Sequence, residues 1–414
     1  MKPEIKQRIE QIKAGQVPDG YKKTKIGIVP TEWNNTCFSD LFVSKSKYTE
    51  DLEKYPLYSL TIEDGVTAKS ERYERSHLVK KENAYKIVEP DDFTYNPMNV
   101  RFGAVARHKG NIPVCVSGYY DIFTTTQKRD LKFMDSFLVS NMMIKYYNKV
   151  STGSLVEKQR VHFSEFIEFD LPIPCPEERE KIAKILSAQD KVIELKEKLL
   201  VEKRKQKKYL MQQLLTGKKR LPGFSGEWEK HKLGEFIIEH TEKTTKNNQY
   251  PVLTSSRRGL FLQSDYYNKE VASEDNTGYN VVPRGFFTYR HMSDDEIFKF
   301  NINNIVDRGI VSTLYPVFTT KNICNHYLQS LLNEGNEFKK FALLQKQGGS
   351  RTYMYLDKLK QLYVSVPCVE EQEAISRILL TCDNEIELLQ KSFEQEKQKK
   401  KALMQLLLMG IVRV

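Results

Sequence analysis

Residues 172–217 read PIPCPEEREKIAKILSAQDKVIELKEKLLVEKRKQKKYLMQQLLTG, and residues 365–410 read SVPCVEEQEAISRILLTCDNEIELLQKSFEQEKQKKKALMQLLLMG. Aligned without a gap, the two stretches are identical at 21 of 46 positions. Both have Pro-Cys and Glu-Glu near the start, and both close with Leu-Met-Gln and a glycine. A match of this length without insertions indicates an internal duplication, and the duplication decides the fold.

Each copy predicts one long helix. Pro176 and the acidic Glu177 and Glu178 suit the first turn, where the helix dipole is positive. Gly217 stands where a left-handed residue commonly ends a helix. About 40 residues without Gly or Pro lie between these signals, which at 1.5 Å per residue predicts a helix roughly 60 Å long. The second copy, from about residue 369 to residue 409, predicts the same.

A seven-residue spacing of apolar side chains predicts that the two helices pack along a seam. The second row of this seam is polar in the middle, with Gln189, Lys196 and Lys203. Because the chain must pass through a globular segment between the helices, we favour an antiparallel pair within one chain. The alternative is that each helix pairs with a different protein. The predicted seam residues are Ile182, Leu186, Ile193, Leu200, Leu214, Ile375, Leu379, Ile386, Phe393 and Leu407.

The segments that precede the two helices also repeat, more faintly. The two tryptophans of the chain follow glutamate in both copies, at Trp33 and Trp228. Short alternating runs between turn signals predict strands, and therefore an α+β class. The predicted strands are 166–172, 279–283, 286–290 and 361–367, and the predicted shorter helices are 135–147 and 326–332.

The repeat predicts two similar globular domains joined by two long antiparallel helices, with a pseudo-two-fold relation. The predicted parts are an N-terminal helix in 1–14, a first domain in 15–174, a first helical segment in 175–217, a second domain in 218–367 and a second helical segment in 368–414.

Composition narrows the class of partner. The formal net charge of +11 favours nucleic acid or an anionic surface as the partner. The charged N-terminus lacks the apolar region of a secretory signal, and the longest apolar stretch, near 402–412, is too short to cross a membrane. We therefore expect a cytoplasmic protein. The six cysteines show no metal-ligand spacing and are expected to be reduced and buried.

Each globular segment carries a cluster of basic, amide and aromatic side chains. Arg and Lys suit guanine and phosphate, and Asn and Gln suit adenine. Recurrence in both halves favours DNA binding for the clusters as a whole. The candidates in the first segment are Asn96, Arg101, Arg107, Lys109, Tyr119, Tyr120, Lys158, Gln159 and Arg160, and those in the second are Arg257, Arg258, Arg284, Arg290, His291, Lys346, Gln347, Ser350, Arg351 and Tyr353.

Signatures of catalysis are missing from the sequence. It contains no phosphate-binding glycine loop, no zinc-protease motif and no nucleophile elbow. We therefore predict no catalytic residue, no metal site and no cofactor in this chain. Two alternatives stay open at this stage, a stand-alone DNA-modifying enzyme and a coiled-coil scaffold for proteins.

The duplicated segments resemble the two conserved regions of specificity subunits of type I restriction–modification systems. The resemblance extends over essentially the whole chain. It includes the junction from Gly217 through Leu221-Pro222-Gly223-Phe224 to Trp228, and its counterpart from Pro30 to Trp33.

The resemblance implies two target recognition domains that each read one half of a bipartite, asymmetric DNA sequence. The helices would act as a ruler between the half-sites, and the helix near 3–13 would help to close a near two-fold ring. The implied partners are double-stranded DNA, two modification subunits that use S-adenosylmethionine to methylate adenine, and two restriction subunits that use ATP and Mg. The chain itself would be a non-catalytic subunit in defence against foreign DNA.

Overall fold

The computed structural model of the protein describes residues 3–68, 84–155, 159–266, 275–346 and 351–414. The chain divides into two compact units. Unit 1 contains residues 1–196 and 392–414, and unit 2 contains residues 197–391. Each unit therefore includes one globular domain and one part of each long helix.

The globular domain of unit 1 is a mixture of short strands and short helices that leads into the first long helix. Its helices are α1 (Pro3–Lys13), α2 (Phe38–Leu41), α3 (Leu131–Phe137), α4 (Asn141–Val150), α5 (Phe163–Phe166) and the long α6 (Pro176–Leu214). Its strands are β1 (Tyr21–Thr24), β2 (Gly27–Pro30), β3 (Asn34–Cys37), β4 (Phe42–Lys45), β5 (Tyr48–Thr49), β6 (Tyr58–Thr61), β7 (Gly65–Ala68), β8 (Tyr85–Val88), β9 (Phe93–Tyr95), β10 (Val105–Arg107), β11 (Val114–Ser117), β12 (Asp121–Thr125) and β13 (Asp170–Ile173).

The globular domain of unit 2 is built from the same kinds of element and leads into the second long helix. Its strands are β14 (Glu229–Lys232), β15 (Ile237–Glu239), β16 (Leu253–Ser256), β17 (Gly259–Leu262), β18 (Asn280–Pro283), β19 (Phe287–Thr288), β20 (Met292–Ser293), β21 (Asn301–Ile302), β22 (Arg308–Val311), β23 (Val317–Thr320), β24 (Thr352–Tyr353) and β25 (Tyr363–Val366). Its helices are α7 (Gln263–Tyr266), α8 (Asn325–Glu334), α9 (Asn336–Leu344), α10 (Leu356–Leu359) and the long α11 (Val369–Leu408).

The two domains share one strand topology. A four-stranded antiparallel sheet has the order β10-β9-β12-β4 in the first domain and β21-β19-β23-β15 in the second. A hairpin stands beside this sheet in both, β6–β7 and β16–β17. In both, the strand before the long helix pairs with a strand near the start of the domain, as β13 with β3 and β25 with β14. The structure thus contains the duplication that the sequence predicts.

The interiors of the two domains repeat at the level of single contacts. The rings of Phe93 and Phe123 stack with centroids 5.2 Å apart, and those of Phe287 and Phe318 stack at 4.8 Å. The buried hydroxyl of Tyr95 donates to a backbone carbonyl at 2.9 Å, and that of Tyr289 does so at 2.8 Å. Burial raises the pKa of both tyrosines, so both remain donors at every physiological pH.

The second glutamate of each Glu-Glu pair is buried. In unit 1, the Glu178 carboxylate accepts from Trp33 Nε1 at 3.2 Å and from Arg413 Nε at 2.6 Å. In unit 2, Glu371 accepts from Arg220 Nε at 2.8 Å, and the Arg220 guanidinium lies over the Trp228 ring. Besides lying in the first turn of a long helix, each of these glutamates therefore holds an arginine that follows the end of a long helix.

The two long helices run antiparallel, as the contacts inside each unit establish. In unit 1, Asp190 pairs with Lys400 at 2.5 Å, and further along α6 Lys196 donates to Ser392, which is earlier in α11. In unit 2, Lys203 pairs with Glu385 at 2.8 Å. A residue later in α6 thus meets a residue earlier in α11. The predicted helix lengths and direction are confirmed.

The apolar ends of the helices belong to the domain interiors. Six predicted seam residues are buried in the two domain cores, Ile182, Leu186 and Leu407 in unit 1 and Leu214, Ile375 and Leu379 in unit 2. Leu200 and Phe393 are also buried, and Ile193 and Ile386 are half-buried. Burial in the domain cores therefore anchors the ends of the helices, while the middle of the pair combines the buried Leu200 and Phe393 with polar contacts.

The middle of the helix pair in unit 1 predicts a dependence on pH. Glu396 accepts from Gln189 at 2.8 Å and from Lys196 at 3.0 Å, and these hydrogen bonds lower the pKa of its carboxyl from 4.5 to about 2. A lowered pKa stabilises the fold fully above about pH 4.5, and this stabilisation is lost as the pH falls towards 2. We expect Glu396→Gln to lower the urea midpoint of unit 1 at pH 7 and to change it much less at pH 3.

The control for this prediction is Glu10→Gln on the exposed face of α1, which also lies in unit 1. It is expected to leave the midpoint unchanged at both pH values. An equal effect of Glu396→Gln at pH 7 and pH 3 would contradict the assigned role of the charge.

Three sequence expectations need correction. The predicted helix 135–147 is two helices, because Ser140 caps α4 by accepting from Met143 N at 3.3 Å. The predicted strand 166–172 begins inside α5, and β13 starts only at Asp170. Of the six free cysteines, Cys115 is buried, whereas Cys175 and Cys368 are exposed because they immediately precede the long helices.

Candidate nucleic-acid interface

A cleft of 690 Å³ opens in unit 1 beside the hairpin β6–β7. Strand β10, helix α3 and the long helices form its other sides. The predicted residues Arg107 and Lys109 line this cleft, together with Lys400 of α11. An open cleft lined by cations on rigid elements suits a polyanionic ligand.

Acids accompany the cations of this cleft. Asp135 accepts from Lys109 at 2.9 Å and lies 3.6 Å from Arg107, which also pairs with Asp91. Asp91 has a φ of 72°, in the left-handed region that is uncommon for residues other than glycine. The backbone therefore holds this carboxylate beside the arginine.

The other candidates of the first domain are spread over different environments. Asn96 is buried, and its side-chain oxygen Oδ1 accepts from the backbone N–H groups of Met98 and Asn99 at 3.1 and 3.3 Å. This oxygen therefore stabilises a turn of the backbone. Arg101 is buried and donates to Gln159 at 3.0 Å.

Tyr119 is 47% exposed, whereas Tyr120 is half-buried. Arg160 is half-buried in a backbone bridge to Thr152, and Lys158 lies outside the described residues. The structure therefore brings Arg107 and Lys109 together, but it does not bring all the candidates of this domain to one surface.

The second domain also has a cleft, which lies beside the hairpin β16–β17 and does not reach the long helices. It measures 220 Å³ and is lined by Arg257 and Arg290. Arg290 is exposed and forms no ion pair with the part of the chain that the structure describes. Arg290 is therefore available to an incoming ligand.

Most other cations of the second domain are paired. Arg257, Lys346 and Arg351 each pair with an acid in the run 294–296. Arg284 pairs with Asp307 at 2.9 Å, and the Arg258 guanidinium lies over the Tyr266 ring at 4.8 Å. Gln347 and Ser350 lie outside the described residues.

An exposed stack of rings stands beside these cations. Tyr355 stacks on His291 with centroids 5.0 Å apart, and Tyr353 stacks on Tyr355 at 5.9 Å. Tyr353 and Tyr355 are 38% and 51% exposed, while Met354 between them is buried and donates its N–H to the His291 carbonyl at 2.7 Å. Stacked, anchored rings lose little conformational freedom when a base or sugar packs on them.

Sequence reasoning missed Tyr355. The signal that could have found it is the alternation from Arg351 to Tyr355, in which every second residue is exposed. This two-residue period places Arg351, Tyr353 and Tyr355 on one side of an extended segment.

Residues 3–68, 84–155, 159–266, 275–346 and 351–414 contain neither a candidate metal cluster nor a candidate membrane span. No group of three or more His, Cys, Asp or Glu side chains there is arranged to hold a metal ion. No helix in these ranges is both long and apolar enough to cross a membrane.

The chain is similar in sequence to known DNA specificity proteins. Residues 225–396 match the family described as the type I restriction modification DNA specificity domain. The MjaX specificity subunit of a type I restriction enzyme from Methanocaldococcus jannaschii is 24% identical over 96% of this chain and 97% of its own length. The MjaVIII specificity subunit of the same organism is 28% identical over 60% of this chain and 63% of its own length.

A solved structure has the same fold. The S subunit of a type I restriction–modification system from M. genitalium aligns with a TM-score of 0.53 and 14% identity. The alignment covers 91% of this chain and 96% of that subunit.

The duplicated domains, the paired helices and these matches define a DNA-recognition protein without catalytic machinery of its own. More specifically, residues 225–396 match a type I restriction–modification DNA specificity domain, and the chain is similar over nearly its whole length to a specificity subunit of such a system, so its function is recognition of a DNA sequence. These findings favour specificity over the stand-alone enzyme and the protein scaffold.

Proposed function

We propose that the two domains read the two halves of a bipartite, asymmetric DNA sequence, one half each. The observation that carries this proposal is the pairing of one topology with two different clefts. The first cleft presents Arg107 and Lys109, whereas the second presents Arg257 and Arg290. Similar scaffolds with different polar side chains recognise different base sequences, because base edges in the major groove differ in their donors and acceptors.

The proposal assigns the helix pair to spacing and assembly. A helix pair whose ends are anchored in the domain cores holds a fixed distance better than a flexible linker does. Two modification subunits, with S-adenosylmethionine as their methyl donor, would methylate adenine within the recognised sequence. Two restriction subunits, with ATP and Mg, would complete the assembly that cleaves foreign DNA.

A methylation map of host DNA tests this function. We expect deletion of the gene for this chain to remove one split adenine-methylated motif, and the wild-type chain to restore it. Arg290→Gln should reduce methylation at that motif, because the replacement removes a charge-assisted donor from the second cleft. The matched control Arg377→Gln, on an exposed part of α11, should restore methylation fully.

Two results would count against the function. A methylation map that does not change when the gene for this chain is deleted would contradict the proposed role in DNA specificity. A motif without two separated halves would remove the assignment of one half-site to each domain.

A further inference from the structure

Three consecutive acids in the second domain each hold one predicted DNA-contacting cation. Asp294 Oδ1 accepts from Arg351 Nε at 2.8 Å, and Asp295 Oδ2 accepts from Arg257 Nη1 at 2.9 Å. Glu296 Oε1 lies 2.6 Å from Lys346 Nζ. The partners come from the hairpin turn after β16, from the segment after α9 and from the start of β24. One short loop therefore neutralises cations from three separate segments.

The loop is held in place independently of those cations. Ser293 Oγ lies 2.9 Å from both Asp295 Oδ1 and the Ile297 carbonyl oxygen. Ser293 itself pairs with Thr352 in the β20–β24 ladder. Glu296 has a φ of 60°, so that the chain turns through the left-handed region at this residue. The acids are thus presented by a rigid turn.

In each of these ion pairs, a phosphate group of DNA could take the place of the carboxylate. The side chains of Arg257, Lys346 and Arg351 are at least half exposed, and the pairs with the exposed Asp294 and Asp295 are therefore weak, whereas the Glu296 side chain is only 16% exposed. The hydrogen bond from Arg257 lowers the pKa of Asp295 to about 2, so that the carboxylate is charged at neutral pH. In the first domain, Asp135 accompanies Arg107 and Lys109 in the same way.

We propose that Asp294, Asp295 and Glu296 are specificity-determining residues, which keep three cations from contacting the phosphates of random DNA. On the target, base contacts by neighbouring residues such as Arg290 offset the loss of the internal pairs, and the three cations turn to the DNA. On other sequences the internal pairs persist, and binding stays weak. This inference rests on the proposed function of the second domain.

The experiment measures binding by the full chain assembled with its modification subunits. The variant Asp294→Asn/Asp295→Asn/Glu296→Gln is compared with the wild type on a target duplex and on a duplex with a scrambled second half-site. We expect the variant to bind the scrambled duplex about tenfold more tightly, since three internal ion pairs no longer compete with the phosphates. The slope of log K against log salt should become steeper by up to about 2.7, from three new phosphate contacts.

A matched control carries the same change in net charge. Glu235→Gln/Glu239→Gln/Asp357→Asn removes three exposed acids of unit 2 that pair elsewhere, with His231 and Lys360. An equal gain in this control would show that only net charge matters and would overturn the inference. No gain in the variant, with an unchanged salt slope, would overturn it as well.

A double-mutant cycle extends the test to single residues. Asp295→Asn should raise affinity for the scrambled duplex in the wild-type background but not in an Arg257→Gln background. A gain that persists without Arg257 would refute the proposed mechanism. Failure of the function itself is distinguishable, because the wild-type assembly would then show no preference between the two duplexes.

Discussion

Exchange of residues 38–169 for the corresponding segment of another specificity subunit will replace one half of the methylated motif and leave the other half unchanged. The reason lies in the strand pair β3–β13, where Cys37 pairs with Asp170. Directly paired residues lie about 5 Å apart, so the exchanged segment starts and ends at one place. Loss of specific contacts to the original half-site should weaken its binding by about a thousandfold or more.

The reciprocal exchange is the control. Residues 233–362 lie between β14 and β25, which pair in the same way. Their replacement should change only the other half of the motif. Methylation maps of both chimaeras are the readout. A chimaera that changes both halves of the methylated motif would contradict the assignment of one half-site to each domain. Side chains of α6 and α11 that pack into the domain core, such as Leu186 and Leu407, must be matched in the donor.

Asp130→Ala is expected to destabilise unit 1 by about 3–5 kcal/mol, because it leaves a buried arginine without its counter-charge. Asp130 and Arg179 have side chains that are 2% and 7% exposed, with Arg179 Nε 3.0 Å from Asp130 Oδ1. The pair joins the turn before α3 to the first turns of α6. Burial raises the pKa of Asp130, and Arg179 opposes that shift.

Tryptophan fluorescence during urea unfolding measures this effect in one unit at a time. The chain has two tryptophans, Trp33 in unit 1 and Trp228 in unit 2, so a Trp228→Phe background reports unit 1 alone. The exposed pair Glu180–Lys184 supplies the matched control, and Glu180→Ala should cost no more than about 0.5 kcal/mol. Asp130→Ala/Arg179→Met should recover most of the loss, and equal destabilisation by the single and double variants would contradict the role of the unpaired charge.

The sequence predicted the long helices because their signals are local and occur twice. Forty residues without Gly or Pro, with a repeated apolar spacing, have few alternatives to a helix. The break between α3 and α4 was missed because Ser140 caps α4 inside an otherwise apolar run. Local composition is a weak guide where one side chain decides where a helix begins.

The candidate site was only partly predictable. Residue type identified Arg107, Lys109 and Arg290, which line the two clefts. It could not show that Arg257 and Arg351 are paired, since their acids lie 38 and 57 residues away in the chain. Such contacts arise from tertiary folding and leave no periodic trace in the sequence.

The twin stacks of Phe93 on Phe123 and of Phe287 on Phe318 bear on how readily this protein can acquire new specificities. These rings and the buried tyrosines beside them were kept in both descendants of the ancestral domain, while the residues that line the clefts diverged. Substitutions at exposed positions usually change stability by no more than about 0.5 kcal/mol. Libraries that randomise the cleft residues and keep the rings should therefore contain many folded variants. In a selection for new DNA targets, the fraction of successful variants would then depend on DNA recognition and not on loss of the folded structure.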